Sequence, residues 1–151
     1  MSSSIEFVVF GEPKPAGSKR AFPFRKADGG LGVRVAHDNP KTRSWMQDVA
    51  ACARAAMKDR KPFESAVSLK ILFERPRPKS HYCKRGLSAH GALLPYPTMR
   101  PDTVKLARAI EDALTHVAWR DDSQVVHHDL RKMWGKNGYR TFIMVLGLFE
   151  D

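Results

Sequence analysis

The chain has 151 residues, of which 42 % are hydrophobic, so its length fits one domain, residues 1–151, with an apolar core of its own. Lysine and arginine total 26 against 16 acidic residues, and the formal net charge of +10 favours a polyanionic partner, above all nucleic acid. Two cysteines exclude a disulfide framework. No apolar run reaches the ~20 residues of a membrane span and no signal peptide is recognisable, so we expect a cytoplasmic protein.

Hydrophobic periodicity predicts four strands and two helices in the order β-α-β-α-β-β. Strands are predicted at residues 5–10, 67–73, 124–133 and 139–148, and helices at residues 42–58 and from residues 101–102 onward. Thr42 or Ser44 is the expected cap of the first helix. The last strand is apolar on both faces, which predicts that it is central in the sheet or covered by a partner. This order is typical of an α+β fold, a two-layer sandwich with helices against one sheet.

Two long basic loops interrupt this pattern. Residues 11–40 are rich in glycine, proline and cations, and Gly29-Gly30 suggests a short hairpin there. Residues 75–100 carry four prolines that keep the chain non-helical. Cations in such loops suit contacts with a phosphate backbone. The predicted DNA-contacting residues are Lys14, Lys19, Arg20, Arg77, Lys79, Arg85 and Lys132.

Three aspartates, Asp102, Asp121 and Asp122, are candidates for catalysis. Each also has a purely structural explanation. Asp102 begins a helix and can cap its free N–H groups, and Asp121-Asp122 can form an ordinary turn before a strand. Together they are expected to converge at one end of the sheet, where carboxylates repel one another unless a cation neutralises them. Oxygen ligands of this kind select Mg²⁺ or Mn²⁺. Carboxylates with a metal ion on a basic surface predict a phosphodiesterase.

Two motifs surround these aspartates: Pro101-Asp102 with Asp112-Ala-Leu114, and Trp119-Arg-Asp-Asp-Ser-Gln-Val-Val126. With the segments 11–20 and 75–82, they resemble the RusA family of Holliday-junction resolvases, which are common in phages and prophages. The resemblance covers most of the chain. It implies a homodimeric α+β endonuclease that cuts branched DNA by metal-dependent hydrolysis. A two-fold dimer suits a four-way junction, which needs two symmetric cuts.

The resemblance also assigns roles by position. After its proline the family has Asp-x-Asp-Asn/Lys-Leu; Asp102 matches the first aspartate, and Asp122 matches the aspartate of the second motif that completes the metal site. It therefore implies that Asp102 and Asp122 hold Mg²⁺ or Mn²⁺, with neighbouring Asp121 assisting. It further implies that Lys105 lies near the scissile phosphate and that Arg108 takes the place of a family lysine, which completes the predicted catalytic group.

Val104 stands where the family has its middle aspartate, and a valine side chain cannot bind a metal ion. Three explanations stay open: another acid substitutes, the protein binds junctions without cutting them, or the chain is a deliberately inactivated variant. Asp121 is the best substitute, because Glu111 and Asp112 lie ~13–15 Å along the helix from Asp102. The alternative function is thus a catalytically impaired or inactive branched-DNA-binding protein, although carboxylates in such a protein would repel phosphate.

Histidines offer weaker candidates. His81, Cys83 and His90 match no strong zinc-binding spacing, and we expect exposed loop residues there. His127 and His128 begin alternate faces of a strand, so at most one of them faces the acidic cluster. Proton transfer near neutral pH is one role open to that residue, but a solvated or packed side chain is the more common one.

Overall fold

The computed structural model of the chain describes residues 3–17, 19–37 and 39–149, and the side chains of residues 19, 20, 36 and 37 lie outside that description. The helices and strands, in chain order, are β1 (Ser4–Phe10), β2 (Lys19–Arg25), β3 (Leu31–His37), α1 (Pro40–Met57), β4 (Ala66–Pro76), β5 (Tyr82–Cys83), β6 (Gly86–Leu87), α2 (Ala89–Ala92), α3 (Thr103–Leu114), β7 (Val125–Gly135) and β8 (Arg140–Leu148). Two short 3-10 helices span Lys79–His81 and Asp122–Gln124.

The main sheet has the strand order β1-β8-β4-β7, in which β8 is antiparallel to both of its neighbours and β7 is parallel to β4. The predicted central position of the last strand is therefore confirmed. Although β7 and β8 follow each other closely in sequence, they do not pair, because β4 lies between them. The parallel pair of β4 and β7 is connected through α3, as a crossover helix connects parallel strands.

One face of the sheet is covered by α1 and α3, whose apolar stripes form the core together with the inward residues of the strands. The fully buried members include Val49, Ile110, Leu114, Leu69, Ile71 and Val145. This arrangement confirms the α+β sandwich and its β-α-β-α-β-β core order. The opposite face of the sheet is open among the described residues and carries Val8, Leu72, Phe142 and Met144 beside charged groups of both signs.

Two local predictions were wrong, each for a physical reason. Asn39, rather than Thr42 or Ser44, caps α1, since its side chain accepts a hydrogen bond of 2.9 Å from the Lys41 amide. Pro40 can follow the cap because the first helical N–H groups have no intrahelical partner to lose. In residues 75–100, expected to be non-helical, Ser88 caps the one-turn helix α2 through the Gly91 amide.

The hairpin expected near Gly29-Gly30 is present as β2 and β3, which form a two-stranded sheet of their own. Its backbone turn is closed by hydrogen bonds between Lys26 and both Gly29 and Gly30, and Gly29 takes the positive φ that favours glycine. Within the described residues, no helix combines the length and the apolar character needed to cross a bilayer.

Candidate active site and nucleic-acid interface

Asp102 occupies the cap position of α3, as predicted, but its carboxylate makes no capping hydrogen bond. The side chain is 63 % exposed, and Lys105 Nζ lies 3.7 Å from Asp102 Oδ2. The free N–H groups of the first helical turn give this position a positive potential. The sequence has therefore placed an accessible carboxylate at an electropositive helix end, where it is available to a ligand.

Two basic side chains from the sheet hold the loop that leads into Asp102. Lys132 Nζ on β7 donates hydrogen bonds to the carbonyl oxygens of Met99 (3.0 Å) and Pro101 (3.2 Å), and Arg75 Nη1 on β4 donates to the carbonyl oxygen of Arg100 (3.3 Å). Three successive carbonyl groups are thus fixed to the ends of parallel strands. Lys132 has internal partners that position Asp102, so its direct contact with DNA stays a prediction. Arg75 was not among the residues predicted to have a function.

The chain before β2 lies against the first turn of α3, since the Ala16 amide donates to the Lys105 carbonyl over 2.9 Å. Lys14 is on this segment, and its ammonium forms an ion pair of 3.0 Å with Glu12. The side chains of Lys19 and Arg20, two further predicted DNA contacts, lie outside the described residues.

Val104 is 61 % exposed and contributes nothing to the core. Lys105 and Arg108, on the same helix, are exposed as well. Because residues three and four apart share a helix face, Arg108 projects near both Val104 and Lys105. The surface around Asp102 therefore combines two accessible cations with an apolar residue that packing does not require.

The second acidic motif forms a compact turn at the start of β7. Asp121 caps the 3-10 helix by accepting a hydrogen bond of 2.8 Å from the Ser123 amide, and the Gln124 side chain accepts one of 3.0 Å from the Asp121 amide. Hydrogen bonding from Ser123 holds the pKa of the Asp121 carboxyl below its ordinary value. The Gln124 amide group also donates to the carbonyl oxygens of Phe63 and Ser65, which ties the turn to the chain before β4.

Asp122 is held by two donors at the far end of α3. Its Oδ1 accepts a hydrogen bond of 3.0 Å from Trp119 Nε1, and a second from the hydroxyl of Thr115, the residue that caps the C-terminus of α3. The Trp119 ring is fully buried, so this contact anchors the acidic turn to the core.

Asp102 and Asp122 do not meet within one chain. Thr115, which binds Asp122, follows Asp102 by 13 residues along α3, and at 1.5 Å per residue the two ends are about 20 Å apart. Oxygen ligands of one Mg²⁺ each lie ~2.1 Å from the ion, so they must approach to within about 4 Å of one another. The predicted convergence at one end of the sheet was therefore wrong for a single chain, because α3 runs antiparallel to β7. No three acidic, histidine or cysteine side chains of the described residues group as metal ligands.

His127 and His128 face opposite sides of β7, as predicted. His127 Nδ1 hydrogen-bonds with the Ser68 hydroxyl at 2.8 Å on the open face of the sheet. His128 Nε2 lies 2.5 Å from Glu111 Oε1 on α3. The histidine on the helix side therefore ties the C-terminal half of α3 to β7, close to the acidic turn.

Arg77 holds the basic loop that follows β4. Its Nη1 donates to the carbonyl oxygens of Gly91 (2.9 Å) and Leu94 (3.2 Å) and lies 3.3 Å from His81 Nδ1. The guanidinium group is 5.3 Å from the centre of the Trp134 ring, within the range of a cation–π contact. Arg77 is thus half-buried with internal partners, and its contact with DNA stays a prediction.

The expectation that His81 is an exposed loop residue was wrong. It is 4 % exposed and packs edge-on against Trp134 and His90, with ring centres 5.3 and 5.8 Å away. Burial, then the nearby Arg77 guanidinium and His90, lower the pKa of His81. Cys83 is exposed on β5 and forms no metal-binding group with these histidines among the described residues.

Other cations are placed at the surface. Lys79 and Arg85 are exposed, and Arg85 lies in the turn between β5 and β6. Two exposed aromatic residues on β2, Phe22 and Phe24, were not among the residues predicted to have a function. Their spacing could have identified them, because residues two apart on a strand point to the same face and these two lie within the basic segment.

The chain is similar to a known protein family and to a bacterial protein. Residues 11–146 match the family model described as Endodeoxyribonuclease RusA. The uncharacterized protein YqaN of Bacillus subtilis (strain 168) is 32 % identical over 138 residues, which cover 87 % of this chain and 89 % of that protein.

We expect Val104→Asp to fold and to keep or raise stability. Val104 lies in the first turn of α3, where a negative charge meets the positive helix end and contributes about 0.3–1 kcal/mol at low salt. Val104→Lys, a matched control of opposite charge, should lower stability by a similar amount. Urea unfolding at low and high salt measures both variants. A loss above ~1 kcal/mol for Val104→Asp would mean that the valine packs against something in the protein in solution.

The buried His81 predicts a pH dependence of stability. Its pKa in the folded protein is lower than the ordinary value of 6.5. As the pH falls below about 6.5, His81 is therefore protonated in the unfolded chain while it is still neutral in the folded chain. The free energy of unfolding should therefore decrease between pH 7.5 and 5.5. His81→Gln keeps a hydrogen-bond acceptor for Arg77 but does not titrate, so its urea midpoint should fall less steeply. Parallel slopes for the two proteins would contradict this prediction.

Proposed function

Because the chain belongs to the RusA endodeoxyribonuclease family, we propose that it is a structure-specific endonuclease that resolves Holliday junctions during DNA recombination and repair. The family implies the nuclease activity and the branched DNA substrate. The action of this particular chain on junctions, its metal requirement and its dimeric state are our proposals. A cytoplasmic location remains a prediction.

The observation that carries the proposal is the exposed carboxylate of Asp102 on a strongly basic protein. The loop before it is fixed by Lys132 and Arg75, and the exposed Lys105 and Arg108 follow it on α3. These cations attract a phosphate backbone, whereas an unneutralised carboxylate repels it. A module that only binds DNA gains nothing from such an acid. An enzyme that brings a cation to the phosphate does, which is why we favour catalysis.

Mg²⁺, or Mn²⁺, is the proposed cofactor, because carboxylate oxygens prefer such hard ions. The described residues of one chain do not fit an ion bound by both Asp102 and Asp122, since about 20 Å separates the two ends of α3. We therefore assign no step of the reaction to the ion. What the chain itself supplies is a fixed carboxylate at Asp102, and cations that orient the DNA backbone.

A homodimer reconciles this separation with the family pattern. If Asp102 and Asp122 act in one site, they belong to different protomers, since α3 is a rigid spacer between them. A two-fold dimer would then hold two equivalent sites, each with Asp102 of one protomer and Asp122 of the partner subunit. The two sites would match the two symmetric cuts that a four-way junction needs.

The second candidate function is a catalytically impaired protein that binds branched DNA without cutting it. The observation in its favour is Val104, an exposed apolar side chain on the first turn of α3, two residues from Asp102. Asp121 was the proposed substitute for the missing acid. Its carboxylate caps the turn at the other end of α3, so it fills this role only through a partner subunit.

Cleavage of a synthetic four-way junction tests both functions. The unmodified chain and Val104→Asp are each incubated with labelled junction and linear duplex, with Mg²⁺, Mn²⁺ or EDTA. We expect paired, metal-dependent nicks in the junction, with a rate at least about tenfold higher for Val104→Asp, because misplacement of ~1 Å at a reacting centre can cost ~100-fold. Junction binding without cutting by either protein would favour the impaired binder. Failure of both proteins to prefer the junction over duplex would overturn the proposal.

Mixing two inactive variants tests the shared site. The two substitutions are made in the chain that cuts junctions, either with Val104 or with Val104→Asp. Homodimers of Asp102→Asn and homodimers of Asp122→Asn should each be inactive. After the two chains are refolded together, a heterodimer contains one site with both native aspartates, so nicking should return. Because only one site is restored, the mixture should produce single nicks more often than paired cuts. Sedimentation of tagged chains provides the control for exchange. No recovery despite proven exchange would contradict a site shared between protomers.

A further inference from the structure

The hairpin of β2 and β3 presents an aromatic and basic cleft toward α1. Phe22 pairs with Arg34 across the two strands, and Phe24 pairs with Gly32, so these side chains share one face of the hairpin. An open cleft of about 460 Å³ is lined by Phe22, Phe24 and Arg34 of the hairpin and by Arg43 from the first turn of α1. This volume lies in the range of ~300–1,000 Å³ that is usual for pockets holding small organic groups.

The two phenylalanine rings are accessible from solvent, at 41 % exposure for Phe22 and 48 % for Phe24. The far end of the Phe24 ring lies over Gly32, because a Cβ added to that glycine would stand 2.6 Å from the ring carbon Cζ. A glycine at this position therefore leaves room for the ring, which a larger residue would displace. Exposed flat rings bind flat apolar partners by stacking.

The charges around the cleft decide what partner fits. Arg34 and Arg43 line it, and the hairpin as a whole, residues 19–37, carries five lysines and arginines against one aspartate. A second copy of this basic hairpin would be repelled, since like charges oppose self-association. Guanidinium groups bind phosphate oxygens with directed hydrogen bonds, and phenylalanine rings stack on nucleobases of any sequence. Rings and guanidinium groups together match a nucleotide with an accessible base.

We propose that the cleft formed by Phe22, Phe24, Arg34 and Arg43 binds an unstacked nucleotide at the branch point of junction DNA. The inference rests on the proposed function and names the DNA feature that the hairpin recognises. In a continuous duplex, both faces of each base are covered by its neighbours, so the rings find no partner. At a branch point the stack is interrupted, and a base can leave it for the cleft. Phosphate contacts elsewhere on the surface bind any DNA, whereas this cleft distinguishes branched DNA from linear DNA.

The test measures binding in EDTA, so that cutting plays no part. A four-way junction carries the fluorescent base 2-aminopurine at the branch point, and a linear duplex of the same arm sequence serves as the comparison. Phe22→Leu combined with Phe24→Leu keeps an apolar hairpin but removes both ring faces. We expect the double variant to bind the junction at least about tenfold more weakly, and the duplex within about twofold of the unmodified chain. The change in 2-aminopurine fluorescence on binding should also be lost.

Two further variants separate stacking from hairpin stability. Gly32→Ala keeps both rings but forces Phe24 out of its place, so it should weaken junction binding in the same direction. Val33→Thr combined with Val35→Thr alters the opposite face of the same hairpin, where Val33 pairs with Pro23 and Val35 pairs with Ala21. This matched control should bind the junction as the unmodified chain does. Circular dichroism confirms that each variant is folded.

The experiment distinguishes failure of the nucleotide site from failure of the proposed function. If the unmodified chain does not prefer the junction over duplex in EDTA, the proposed function fails. If that preference is present and the leucine variant retains both it and the fluorescence change, the cleft is not a nucleotide site. If the leucine variant instead changes the sedimentation of the free protein, the hairpin contacts another copy of the chain, which also overturns the inference.

Discussion

The packing of α3 across the parallel pair of β4 and β7 is the constraint on which the rest of the structure depends. Ile110 and Leu114 bury completely against the sheet, so the helix cannot shift without opening the core. Because α3 runs antiparallel to β7, the first residues of the strand lie at the C-terminus of the helix. This one packing arrangement fixes Asp102 at one end of α3 and Asp122 at the other.

The two acidic motifs consequently have different physical characters. The turn around Asp122 is tied to the fold by three contacts: a buried tryptophan, a helix-capping threonine, and a capping box whose glutamine binds the chain before β4. Asp102 has no capping bond and is held in place indirectly, through the carbonyl groups that Lys132 and Arg75 bind. A solvent-accessible carboxylate on a rigidly supported loop is the arrangement expected of a functional group. A dimer remains the simplest way to combine the two ends in one site.

The cations of the chain divide into those that build the fold and those that face solvent. Arg77 and Lys132 donate hydrogen bonds to backbone carbonyl groups, which fixes residues 91–94 and 99–101 of the loop before Asp102. Lys79, Arg85 and Arg108 are exposed and free to contribute to the field that attracts a polyanion. The hairpin places two exposed phenylalanine rings beside such cations, and our proposal is that these rings select branch points, which charge alone does not.

The sequence by itself determined the α+β class, the order of the core elements, the basic surface and the family, because these depend on local periodicity, composition and motif spacing. It also predicted the cap position of Asp102 and the alternate faces of His127 and His128. Only the tertiary structure decided that Asp102 and Asp122 lie apart, and that His81 is buried by Trp134. These depend on which elements pack together and which strands run parallel, and neither periodicity nor motif spacing encodes the parallel pairing of β4 with β7 that sets the direction of α3.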